Sequence, residues 1–108
     1  MLRRRPSSKR ISVSNPSVVG IPWFEADEYE DVRCLMSDAA SLPERWPDWL
    51  SAAQRQEHHI ISTGFVPVRA CLSPRRFQFW CMLRGLDLDA AARQRFATEA
   101  IGDRCPLN

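Results

Sequence analysis

Lysine is almost missing from this chain. Of its 108 residues fourteen are arginine and one, Lys9, is lysine. We read that imbalance as the codon bias of a GC-rich bacterial genome before reading it as chemistry. The four cysteines, at 34, 71, 81 and 105, form no Cys-x-x-Cys pair, and no histidine stands at ligand spacing from them, so a zinc site is not expected. No secretory signal precedes the folded part, so the thiols are expected reduced, three of them as small buried apolar groups and Cys105 exposed. No apolar run approaches the roughly 18 residues of a membrane span. There is no glycine-rich phosphate loop, nucleophile elbow or His-Glu-x-x-His motif. The two histidines, His58 and His59, are adjacent and point about 100° apart on a helix, so they cannot jointly hold a metal there. No catalytic residue, metal or cofactor is assigned, and the protein is not expected to be an enzyme.

What is present is unevenly charged. Net charge is +2, yet residues 1–24 carry five bases and no acid, while the remainder carries more acids than bases. Residues 1–20, with five Ser and two Pro, read as a disordered basic tail. Residues 21–104 read as one small domain and 105–108 as a C-terminal tail.

Inside that domain the stretch from Gly64 to Gly85 organises the rest. Residues 65–72 (FVPVRACL) read as the principal strand, bounded by Gly64 and Ser73-Pro74. Val66, Val68, Ala70 and Leu72 share one face; Phe65, Pro67, Arg69 and Cys71 share the other. Pro67 has no N–H for a ladder, which makes the strand an edge or one paired on a single side. Its backbone still needs a partner. Residues 10–14 (RISVS) offer one, and the same strand of a second subunit offers another. Ser73 then caps a helix with Pro74 at its first position. From Phe77 to Leu83 only Gln78 is polar. A helix so apolar around its circumference is buried on several sides, in a core or at a subunit contact.

Around this unit the sequence predicts three more helices. One begins in the acids Glu25, Asp27, Glu28, Glu30 and Asp31 and shows Tyr29, Val32, Leu35 and Met36 at helical spacing. A long one runs to Ser62 after a turn at Pro43–Trp46, its regular part starting at Pro47. The last spans Leu88 to Ile101, with Asp87 as its cap and Ala92, Phe96, Ala97, Ala100 and Ile101 inward. The fold is therefore expected to be α+β and mostly helical, with about four helices and one strand paired across a dimer.

Two resemblances follow from these pieces. Ile21-Pro22-Trp23-Phe24, Glu28-Tyr29, Leu42-Pro43 with Trp49-Leu50, Trp80-Cys81 and Arg84-Gly85-Leu86 together resemble a family of small uncharacterised proteobacterial proteins, over about residues 21–101. That family implies a bacterial origin and no activity. The order strand, Ser-Pro, helix, Gly-Leu-Asp, helix over 65–101 resembles ribbon-helix-helix repressors and antitoxins, whose paired strands enter the DNA major groove. That resemblance would aim Arg69 at DNA and place Arg75 and Arg76 near phosphates. The favoured expectation is a cytoplasmic, non-enzymatic interaction protein acting as a homodimer through Val66, Val68, Phe79, Trp80, Met82 and Leu83. The alternative is a DNA-binding regulator through Arg69, Arg75 and Arg76.

Overall fold

A computed structural model describes residues 17–100, and the outer ends of the chain lie outside the description. The fold is α+β, with four helices and two parallel strands. Strand β1 is Val18–Trp23, followed by α1 (Tyr29–Leu35) and α2 (Trp46–Ser62). Strand β2 is Val66–Cys71, followed by α3 (Pro74–Arg84) and α4 (Ala90–Glu99). Short 3₁₀ turns at Ala26–Glu28 and Ala39–Ser41 join the first pieces.

The partner of β2 is thus β1 of the same chain, in parallel register from Val18 opposite Val66 to Trp23 opposite Cys71. This corrects the expected pairing: residues 10–14 lie outside the described residues, and a second subunit is not needed to satisfy this side of β2. It also corrects the boundary at residue 20, because Val18, Val19 and Gly20 are strand. A parallel pair needs a long crossover, and α1 with α2 supplies it.

Helices cover both faces of the sheet. Trp23 packs edge-on against Trp49 at 5.0 Å, and Arg69 reaches Glu57, so α2 lies over the face of Ile21, Trp23 and Arg69. Val68 and Ala70 face the other way and are buried, where α4 packs on both strands. Val66, expected on that inner face, lies at its open end and is 54% exposed. The core joins Phe24, Tyr29, Val32, Leu72, Phe77, Cys81 and Phe96.

Local sequence explains the helix ends. Trp46 and Pro47 start α2, where the missing proline N–H has no bond to lose. Ser73 caps α3, its hydroxyl accepting from Arg76 N. Gly85 ends it in the left-handed region at φ 65°, with Leu86 N donating to Cys81 O at 3.0 Å. The cap of α4 is Asp89, which accepts from Ala92 N at 3.0 Å, and not Asp87. Asp87 lies too far ahead of the first helical turn to reach its amides. Ile101, expected inward, lies outside the described residues.

One buried charge escaped the apolar pattern. Arg93 is 7% exposed on the inner side of α4. It donates two bonds to Asp38, at 2.8 and 3.0 Å. Ser37 N beside it donates to Leu88 O at 2.8 Å. Together they clamp the α1–α2 connection to the start of α4.

Candidate interaction surface

Backbone direction decides what the sheet edges can do. In a strand, the N–H and C=O of successive residues point to alternate sides in the plane of the sheet. Leu72 N donates to Trp23 O at 2.9 Å, so Ala70 and Val68 also turn their backbone to β1. Pro67, Arg69 and Cys71 then turn theirs to the edge away from β1. The missing N–H of Pro67 falls on that edge. The same count on β1 places Gly20 and Pro22 outward. Gly20 O already accepts from Gln94 Nε2 at 2.8 Å, and Pro22 has no N–H to give. Among the described residues, each edge of the sheet therefore carries a proline, a usual device against strand addition.

Arg69 is the residue expected to face DNA. Its guanidinium instead forms a two-point bond to Glu57, Nε to Oε2 at 2.8 Å and Nη2 to Oε1 at 3.0 Å. It also lies 3.8 Å above the Trp23 ring. The Glu57 bonds hold it further toward its charged form, against partial burial. Arg75 and Arg76 belong to α3, on another part of the molecule; Arg76 sits 5.8 Å over the Phe96 ring.

Helix α3 divides sharply. Phe77 and Cys81 are fully buried, and burial pushes the Cys81 thiol up from its ordinary range. Trp80, expected at the contact, is half-buried: it stacks on Phe77 at 6.2 Å, meets Phe96 edge-on at 5.4 Å and carries Arg84 over its ring. Val68, also expected there, is buried inside the chain's own packing. Phe79, Met82 and Leu83 are different. They are 56%, 66% and 64% exposed, and their i, i+3, i+4 spacing places them on one side of the helix. A contiguous stripe of large apolar groups is unusual on a helix whose other face already fills a core.

Between α1 and α3 lies a cleft of about 620 Å³, lined by Glu28, Asp31, Leu35, Pro74, Arg75 and Gln78 among others. Glu28 is raised above the ordinary carboxylate range, first by burial and then by Asp27, Glu25 and Asp31. The acidic start of α1 is thus a repelling group of carboxylates. The sequence offered them as a helix start, which they are.

His58 and His59 are exposed on α2. No group of three or more His, Cys, Asp or Glu stands at metal-holding distance among the described residues. No described helix is long and apolar enough to cross a membrane. Cys34 and Cys81 are free, whereas Cys71 is disulfide-bonded, against the expectation of reduced thiols. The Cys105 expectation lies outside the described residues.

A comparison with protein-family models, with curated proteins and with solved structures finds no match to this chain.

Proposed function

We propose that the protein is a non-enzymatic interaction protein that works as a homodimer, with the outer face of α3 at its contact. The observation that carries this reading is the stripe of Phe79, Met82 and Leu83, each more than half exposed on one side of α3. Leaving three such side chains a little over half exposed forgoes about 1–2 kcal/mol apiece relative to full burial. A protein surface that covers them recovers that. The two sheet edges support the choice by exclusion, since Pro22 and Pro67 blunt both against strand addition. The DNA-binding alternative finds no comparable support, because Arg69 is engaged by Glu57 and Trp23 within the chain.

Photo-crosslinking in cells tests the proposal. A benzophenone side chain replaces Met82 on the α3 face, and a control replaces Gln54 on the exposed side of α2. Position 82 is expected to give a discrete adduct of twice the chain mass and position 54 none. Equal, diffuse labelling from both positions would refute the reading.

A further inference from the structure

Parallel strands release the chain at one end of the sheet. β1 ends at Trp23 and β2 at Cys71, side by side, and the chain turns from them into α1 and α3. The crevice outside the carboxyl ends of the strands is where open parallel sheets hold small ligands. The cleft of about 620 Å³ lies there, between α1 and the first turns of α3. That volume is within the roughly 300–1,000 Å³ of small-molecule sites.

The two walls carry opposite charge. Glu28, Asp31 and Leu35 stand on one side of the first helix, three and four residues apart, and line the cleft together. Pro74, Arg75 and Gln78 form the facing wall on α3. Glu28 is half-buried, and Asp31 and Arg75 are exposed. The ion pairs of the described residues leave all three out. Burial and three neighbouring carboxylates act on Glu28, and no base does. Arg75 therefore stands across open space from the carboxylates and does not neutralise them. Leu35 and Pro74 supply the apolar part of the lining, and the Gln78 amide can donate or accept.

This layout selects among ligands. A simple cation held by Glu28 and Asp31 would face the guanidinium of Arg75. A simple anion held by Arg75 would face two carboxylates. An apolar molecule would bury charges from both walls without pairing them, which is costly. A molecule with a positive group at one end, a negative group at the other and an apolar body between them satisfies both walls. A short peptide with free termini has that form, and its backbone separates the two charges far enough to reach opposite walls.

We propose that the α1–α3 cleft binds a short zwitterionic peptide, with its ammonium group at Glu28 and Asp31, its carboxylate at Arg75 and its apolar side chains on Leu35 and Pro74. This site lies beside the Phe79–Leu83 stripe and is independent of the dimer contact.

Leucyl-leucine is the probe, with N-acetyl-leucyl-leucine and leucyl-leucine amide as controls that each remove one charge. Two-dimensional NMR of the full chain, through a peptide titration, reads both affinity and place. Leucyl-leucine is expected to shift the amides of the cleft residues saturably. Each control should bind at least about tenfold more weakly, because it loses a charged hydrogen bond. The walls are then told apart by exposed substitutions, with thermal melting as the check on folding. Asp31→Asn should shrink the penalty of acetylation at least about threefold and leave that of amidation unchanged; Arg75→Gln should do the reverse. Equal binding of the three peptides would overturn the proposal. So would shifts centred on Phe79, Met82 and Leu83, or no saturable shift at millimolar peptide.

Discussion

Asp38→Ala should be among the most damaging single changes outside the apolar core. The guanidinium of Arg93 is only 9% exposed at the side chain, and Asp38 is 25% exposed. Removing Asp38 strands a cation with two lost bonds in a place that water reaches poorly. Breaking a fully buried pair costs about 3–5 kcal/mol. The partial exposure of Asp38 discounts that, to about 2–3 kcal/mol. For a domain of this size the melting temperature should drop by about 10–20 °C. The double variant Asp38→Ala with Arg93→Met should recover part of the loss, since it leaves no unpaired charge. The pH dependence has a definite sign. Hydrogen bonds from Arg93 hold the Asp38 carboxyl below its ordinary range, against burial, which raises it. A carboxylate depressed by folding stabilises above its unfolded pKa of about 4, and that contribution disappears as pH falls through the lowered folded value. Melting curves of wild type and Asp38→Ala should therefore stand apart at neutral pH and converge in acid. Calorimetric melting from neutral to strongly acid pH measures this. A loss under about 0.5 kcal/mol at pH 7, the scale of an ordinary surface substitution, would refute the argument that Arg93 is desolvated and dependent on Asp38.

Four further outcomes are expected. Phe77→Ala should cost about 3–5 kcal/mol in denaturant unfolding, whereas Trp80→Ala, half-buried and not at the core's centre, should cost less, about 1.5–3 kcal/mol. Met82→Glu should leave the monomer's stability within about 0.5 kcal/mol, as an exposed position should, while it disrupts self-association in a sizing experiment. Arg69→Ala should cost about 1–2 kcal/mol in thermal unfolding, because the Arg69 side chain is 46% exposed but its loss takes two bonds from the Glu57 carboxylate, which is 15% exposed. A chain shortened to begin at Ile21 should lose cooperative unfolding by circular dichroism, because Val18, Val19 and Gly20 form half of β1.

Much of the architecture was legible in the chain because it rests on local rules. Gly64, Ser73-Pro74 and Gly85 each punctuate through their own backbone or side chain, so β2 and α3 lie within a residue of their expected ends. Pro47 inside a helical pattern forced the start of α2 to its vicinity for the same reason. The apolar spacing of Tyr29, Val32 and Met36, and of Ala92, Phe96 and Ala97, found the buried sides of α1 and α4. Even Pro67 announced an edge strand. Val18-Val19-Gly20-Ile21 carried a strand signal in its β-branched residues, but the basic, serine-rich stretch before it moved the boundary past them.

The rest depended on which segments meet. Parallel pairing joins residues 48 apart across two helices, and nothing local in either strand names the other. Arg69 had the pattern of an outward charge until α2 brought Glu57 beneath it and β1 brought Trp23. Arg93 shares no motif with Asp38, 55 residues away, yet their ion pair closes one end of the fold. On α3, Phe77 and Phe79 are equally apolar in sequence. One is fully buried and the other 56% exposed. Hydrophobicity sets which side chains avoid water, but the packing of α1 and α4 against one side of α3 decides which of them this chain can shelter by itself.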